Sequence, residues 1–471
     1  MKKSLKLMLM TSLLAAGLAR SASAATVDVY ITGSSAYRGA VTNAIGHLLT
    51  SPQAAFEGSA GAGAVAGANQ QLITGQPNAT GIANGLTSGT TYFFHTCWSG
   101  SLGGLTTLVY NLRPNLPSGA AHAYLPDTVT VSSMSVGTGA AGTTADNGTA
   151  LGSDQTTIDS NSNGRFADGA FSDVFQSSTK FQSVTLTPAT VAASNSDGII
   201  GVVPFVFVAN PDLTSFVVAA GGSFASNNPN MTATSAKALY SGGLDVAQLT
   251  GNATDDANSV GDILAVGRDA DSGTRFTTFA ETGFNPVGGT SQPTQYNVTK
   301  SGTSIDVSQV PAGKLFAGTP AELDFSAGQS GYSSGGNERG ALAVNGTSGA
   351  NSDNPSYIIG SLGESDAIKI VSVGGPSYMA YNGVAYASSP TTTSSNPFNR
   401  TLLDQGVYTF WGYEHCYLDP QTTNAAALNA IAKEVRSVDA PIAGEIISNM
   451  AVQRSVEGGA ISYVGVGQSK Q

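Results

Sequence analysis

The residues with most chemical content lie in one short run, Arg268-Asp269-Ala270-Asp271-Ser272-Gly273-Thr274-Arg275-Phe276. A guanidinium such as that of Arg268 can fork onto two oxygens of a tetrahedral oxyanion. Ser272 and Thr274 add hydroxyl donors, and Gly273 lets backbone come close to a ligand. Ahead of them, Ile263-Leu264-Ala265-Val266 reads as a buried strand, and after them Phe276-Thr277-Thr278-Phe279-Ala280 can begin a helix. The first N–H groups of a helix lack partners inside it, and that end carries partial positive charge. Strand, Ser-Gly-Thr, helix is therefore a plan for holding an anion. The alternative is an ordinary turn, with Ser272 as N-cap and Arg268 as a surface charge.

Three other parts of the chain offer the same kind of turn. Thr32-Gly33-Ser34-Ser35-Ala36-Tyr37-Arg38 follows the alternating run Val27–Ile31 and leads into a helix from about Ala36 to Leu49. Trp98-Ser99-Gly100-Ser101-Leu102-Gly103-Gly104 follows a strand over Thr91–Trp98 and opens a helix toward Tyr110. Ser334-Gly335-Gly336-Asn337 opens another, through Arg339 to Val344. In an open α/β sheet such turns gather beyond the carboxyl ends of the strands, where ligands sit. Several helix starts aimed at one point bind an anion without many lysines. A carboxylate belongs to the same set: Gly169-Ala170-Phe171-Ser172-Asp173 reads as a strand ending at Asp173, which either faces a ligand or caps a turn.

The elements that must position these residues alternate strand and helix, so the fold class is α/β. Ile199–Val208 is long, apolar and β-rich, and suits a strand passing between two lobes. Val407–Tyr413 is a second candidate of that kind. Helices are expected over Asn424–Val435 and, after a proline, over Pro441–Val452. Residues 57–90 and 111–165, rich in Gly, Ser, Thr and Asn or Asp, read as surface excursions.

The chain opens Met1-Lys2-Lys3-Ser4-Leu5-Lys6, continues apolar to Ala19 and reaches Ala22-Ser23-Ala24, the pattern of a cleaved secretory signal peptide over residues 1–24. A periplasmic or secreted location follows. The apolar stretch is too short to span a membrane, and no membrane insertion is expected. Of the 471 residues 11% are charged, 20 Lys+Arg against 31 Asp+Glu, and the net charge of −11 argues against nucleic acid as a partner. It does not exclude a small anion, because local donors decide that. Two cysteines, Cys97 and Cys416, cannot make a disulfide framework. The histidines His47, His95, His122 and His415 show no metal-ligand spacing. No Ser-His-Asp grouping or paired acids stand out, so no catalytic residue, metal or cofactor is assigned. Asp159-Ser160-Asn161-Ser162-Asn163-Gly164 resembles half a calcium loop but lacks the closing carboxylate, since Ala170 stands at the twelfth place.

At this point the chain resembles the periplasmic phosphate-binding proteins of ABC phosphate uptake systems. The match rests on Thr32, Gly33 and Ala36, on the Gly100–Gly104 turn, on Ser172-Asp173, and on Arg268 with Ser272-Gly273-Thr274, all in family order. Tyr37-Arg38-Gly39 departs from it, standing where a small hydroxyl residue, an aromatic and a proline are usual. The resemblance implies a two-lobed type 2 periplasmic-binding-protein-like fold that closes on its ligand. Lobe I would take residues 25–205, with the excursions 57–90 and 111–165 inserted. Lobe II would take 206–395, and 396–471 would return to lobe I. The implied phosphate ligands are Ser35, Tyr37 and Arg38 from the first helix start, Ser101, Asp173, and Arg268, Ser272, Gly273 and Thr274. Asp269 or Asp271 would hold the Arg268 guanidinium, and Asp173 would accept the proton that phosphate carries and sulfate lacks. An ABC permease is the implied partner. A surface-assembly protein that keeps the fold, and a hydrolase on the same scaffold, are the competing readings. The resemblance places Cys97 and Cys416 in one lobe, either bonded to each other or as free thiols.

Overall fold

The computed structural model describes residues 25–464 apart from 62, 113–121, 141–143, 153–163, 192–196, 220–228, 254, 256–262, 286–290, 302–303, 310–330, 346–356, 371–374 and 389–396. Residues 1–24, expected to be a signal peptide, and most of the calcium-like run, 159–163, lie outside the described residues.

The strands that position the site are β1 (Thr26–Gly33), β2 (Leu49–Phe56), β3 (Gln70–Pro77), β4 (Thr91–Cys97), β5 (Gly169–Ser172), β6 (Ile199–Ala209), β7 (Leu264–Ala265), β8 (Ile358–Gly363) and β9 (Trp411–Leu418). They lie in one mixed sheet in the order β7-β8-β6-β9-β5-β1-β4-β3-β2. The helices used here are α1 (Arg38–His47), α2 (Ser101–Asn111), α3 (Gly273–Thr282), α4 (Gly335–Leu342) and α5 (Ala425–Glu434).

Strand β6, Ile-Ile-Gly-Val-Val-Pro-Phe-Val-Phe-Val-Ala, is buried at all positions. It has no polar alternation because both faces are covered. It pairs antiparallel with β8 on one side and with β9 on the other. β9 in turn pairs antiparallel with β5, and β5 runs parallel to β1. The antiparallel pair β6/β9 thus joins two α/β halves, one built on β1, β4 and β5 and the other on β7 and β8. This is a mixed α/β fold of two lobes linked by crossing strands. β1 lies between β4 and β5, parallel to both. The chain passes from β1 to β4 on one side and then crosses back past β1 to reach β5 on the other, so the carboxyl end of β1 lies at a topological switch point.

Three expectations are corrected. Residues 57–90 are not a surface excursion throughout: Gln70–Pro77 forms β3, paired with β4 and β2 in the main sheet. Its five residues Gln70–Thr74 are buried, and the polar ones pair inside, Thr42 and Thr96 both donating to Gln71 Oε1 at 3.0 Å. Polar composition concealed a core strand because its amide groups are satisfied locally. The second crossing strand begins at Trp411 and not at Val407: Gly406, at φ 72, turns the chain, and Tyr408 anchors it by donating to the Phe205 carbonyl at 2.6 Å. No continuous helix covers Pro441–Val452. It breaks into short turns at Ala440–Ile442 and Ile447–Asn449, because Gly444 passes so close to β6 that a Cβ would lie 1.9 Å from the Val202 carbonyl.

Of the two alternatives for Cys97 and Cys416, bonded or free, the structure has the free thiols. Cys97 lies on β4 and Cys416 on β9, with β1 and β5 between them. Three strand steps of ~4.8 Å put them roughly 14 Å apart, twice the span of about 7 Å that a disulfide allows. No helix among the described residues is long and apolar enough to cross a membrane.

Candidate functional site

The carboxyl end of β1 makes a sharp turn at Gly33, whose φ is 118, and whose missing Cβ would lie 2.0 Å from the Phe171 carbonyl. Ser34 N–H donates to that carbonyl at 2.8 Å, which ties the turn to the end of β5. Ser35 is buried, and its hydroxyl has no hydrogen-bond partner among the described residues. Tyr37 is the N-cap residue of α1, with no side-chain cap. Its ring points into the core, where its hydroxyl lies 3.4 Å from the Val202 carbonyl and 3.5 Å from that of Ala440. Only its backbone can serve the turn. Arg38 is buried and donates to Asn69 Oδ1 at 2.7 Å. Burial lowers its pKa, and the Asp366 carboxylate opposes that shift.

The tightest cluster forms where β5, α2 and α3 meet. Asp173 follows β5 and is 1% exposed. The Ser101 hydroxyl donates to its carboxylate, and Asp173 N–H lies 3.1 Å from Ser101 Oγ. Thr274 Oγ1 donates to Asp173 Oδ2 at 3.3 Å, and Thr277 Oγ1 reaches the Asp173 carbonyl at 3.4 Å. Burial raises the Asp173 pKa, while Ser101, Arg268 and Thr274 act in the opposite direction. Gly273 packs flat on this carboxylate: a Cβ there would lie 1.6 Å from Asp173 Oδ1 and 2.7 Å from Ser101 Oγ. Only glycine admits that approach.

Ser272 is the N-cap of α3, its Oγ accepting Arg275 N–H at 3.3 Å. The start of α2 is also occupied. The Asp271 carbonyl accepts from Leu102 N–H at 2.9 Å and Gly103 N–H at 3.4 Å. An oxygen from the second lobe thus sits at the open end of a first-lobe helix, where an anion would bind. Gly100, at φ 88, permits this, since a Cβ would lie 2.5 Å from the same carbonyl.

Arg268 is buried, and its guanidinium is held by two backbone carbonyls: Nε donates to Tyr332 and Nη2 to Ser333, each at 3.0 Å. Neither Asp269 nor Asp271 pairs with it, which corrects the implied role of those carboxylates. Asp269 Oδ1 instead accepts Asp271 N–H at 3.2 Å. Burial pushes Asp269 up to about 7 and Asp271 up to about 6. Nη1 of Arg268 has no hydrogen-bond partner among the described residues.

The fold therefore brings Ser101, Asp173, Gly273 and Thr274 into direct contact, with Ser272 and Arg268 beside them. Ser35 and Arg38 flank the β1 turn, and the Tyr37 side chain is elsewhere. Sequence reasoning missed Glu414. It lies on β9, fully buried, with the Ser34 hydroxyl as its side-chain neighbour. Burial, then the Asp173 charge, push its pKa well above the usual carboxylate range. The signal was present: a lone acid inside Trp-Gly-Tyr-Glu-His-Cys-Tyr-Leu is costly to bury and asks for a reason.

No protein-family model matches the chain, and no curated protein matches it. Among solved structures, a Clostridium perfringens protein assigned as a phosphate ABC transporter substrate-binding protein, with bound phosphate, aligns over 88% of this chain and 95% of its own, at 10% identity and a TM-score of 0.37. PstS from Borrelia burgdorferi aligns over 56% and 72%, at 11% identity and a TM-score of 0.25. An ABC-type phosphate transport receptor from Vibrio cholerae aligns over 57% and 74%, also at 11% and 0.25.

Proposed function

We propose that the protein binds inorganic phosphate, or a similar tetrahedral oxyanion, outside the cytoplasm by closing two lobes on it, for uptake through an ABC permease or for sequestration. The observation that carries this reading is the Asp173 carboxylate, buried between a first-lobe hydroxyl, Ser101, and a second-lobe hydroxyl, Thr274. A buried acid beside an anion repels it unless a proton lies between them. Phosphate near neutral pH carries that proton and sulfate does not, so the pair discriminates. Arg268, the α2 and α3 helix starts and the Ser272-Gly273-Thr274 backbone supply the remaining attraction. Entry of the ligand requires the Asp271 carbonyl to leave the Leu102 and Gly103 N–H groups, which means that the lobes must part. No bond-making chemistry is assigned to the chain in this reading.

One observation favours a second reading. Gly273 already seals Asp173, and Asp271 already fills the α2 start, so the two lobes satisfy each other without a ligand. A surface-assembly protein that keeps the fold would look the same. Isothermal titration of the mature protein with phosphate, arsenate and sulfate separates the two. Binding of phosphate and arsenate with weaker sulfate binding, and a scattering profile that changes with saturating phosphate, is the expected result. No heat with phosphate and an unchanged profile would leave the assembly reading.

A further inference from the structure

We infer that His95, Asp28 and Asp127 form a binding site for one divalent transition-metal ion of the zinc type, on the first lobe and separate from the phosphate site. No spacing in the sequence shows it, because the three residues come from β1, from β4 and from the segment after Leu125. The pairing of β1 with β4 sets Tyr30 opposite His95, which brings Asp28 near the ring. The ring is fixed on two sides. It stacks on Tyr30 with centroids 4.8 Å apart, and its Nδ1 donates to the Leu125 carbonyl at 2.7 Å. A carbonyl acceptor at Nδ1 puts the proton there and leaves the Nε2 lone pair outward, the orientation that metal-bound histidines share.

Nε2 faces two carboxylate oxygens, Asp28 Oδ1 at 3.4 Å and Asp127 Oδ1 at 3.2 Å. Among the described residues neither carboxylate accepts any other hydrogen bond. These distances are long for charge-assisted N–H···O bonds, which run at about 2.7–2.9 Å, and one N–H cannot point along both. They fit a metal polyhedron. Bonds of ~2.1 Å at tetrahedral angles put neighbouring ligand atoms roughly 3.4 Å apart. One imidazole and two carboxylates suit zinc and similar ions. The side chains of Asp28 and Asp127 are 41% and 53% exposed, so solvent can reach the ion and complete its shell. The ion would staple the segment around Leu125 to the sheet, away from the carboxyl end of β1.

A second constellation, His47, Glu434 and Asp439, does not share this geometry. Asp439 accepts from Asn43 at 2.6 Å and Glu434 from Asn84 at 3.1 Å. Its two carboxylates stand unevenly from His47 Nδ1, at 3.1 and 3.8 Å, which is an ion pair and its neighbour.

The test uses the full mature protein, stripped with a chelator, dialysed into phosphate-free buffer and titrated with zinc chloride. One equivalent is expected to bind, with a rise in the melting temperature. Asp127→Asn, at an exposed position that should not disturb folding, is expected to weaken binding at least tenfold, and His47→Gln to leave it unchanged. Failure of the wild-type protein to take up zinc overturns the site. So does uptake that survives Asp127→Asn and Asp28→Asn together, or uptake that is lost in His47→Gln but kept in Asp127→Asn. Phosphate is absent from every arm, so the result is independent of the oxyanion reading.

Discussion

At the scale of single residues, Asp173 and Arg268 bear the consequences. Asp173 is buried with hydroxyl donors on both oxygens, Ser101 on one and Thr274 on the other. An amide in its place would no longer repel a fully ionised anion and could itself donate. Asp173→Asn is therefore expected to narrow the preference for phosphate over sulfate in paired isothermal titrations, and an unchanged ratio would mean that residue 173 does not face the ligand. In the proposed reading Arg268 has two jobs. Two of its donors hold the Tyr332 and Ser333 carbonyls, and Nη1 remains. Arg268→Ala should weaken phosphate binding by more than about 2 kcal/mol, since a charge-assisted contact in a buried site is lost. It should also lower the melting temperature by releasing Tyr332 and Ser333. Unchanged affinity with lowered stability would assign Arg268 to the loop alone.

At the scale of elements, the site depends on how closely α3 approaches β5. Gly273→Ala would drive a methyl group into Asp173, which cannot withdraw because Ser101 holds it from the other side. The expected result is a lower melting temperature, with a larger radius of gyration by small-angle scattering as the second lobe is pushed off. An unaltered scattering profile would show that the interface yields locally. The position of these elements was legible in the sequence to unequal degrees. Helices α2, α3 and α4 begin where Gly and Ser punctuate the chain, because caps and glycine turns are local signals. β6 was legible because a run buried on both faces is apolar throughout. β3 was not: its buried Gln70 and Gln71 read as surface residues, but their amides pair inside, Gln70 donating to the Ala123 carbonyl and Gln71 to that of Val65 while accepting from Thr42 and Thr96. The contact of the Asp271 carbonyl with the α2 start could not be read at all. It is a backbone interaction between segments 169 residues apart in the chain, 271 minus 102, and no side chain encodes it.

At the scale of the whole molecule, the buried acids set the pH dependence of stability. Burial raises Asp269 and Glu457 to about 7 and Glu338 to about 8. Unfolded carboxylates titrate near ~4, so above that pH the native state holds protons that the unfolded state has lost. Stability then falls as pH rises toward the native pKa values. Two histidines act oppositely. Burial lowers His122 and His415 to about 4, so stability gained from them rises with pH, but only up to the unfolded histidine value of roughly 6.5. His47 is raised, first by its hydrogen bond with Asp439, and its contribution is present below ~6.5 and lost as pH climbs through its native pKa. Above pH ~6.5 these groups therefore act in the same direction. The melting temperature of the protein is expected to fall from about pH 6.5 to about pH 8.5. Glu338→Gln should make that slope shallower. The amide oxygen can keep the Ser361 N–H bond, 3.2 Å in the native protein, while the proton that Glu338 must release is gone. One proton corresponds to ~1.4 kcal/mol per pH unit, the largest change of slope that the variant can produce. Calorimetric scans across this range decide it: a midpoint that stays level or rises would mean that the buried acids are ionised already, held by water or ions that the hydrogen-bond network does not include.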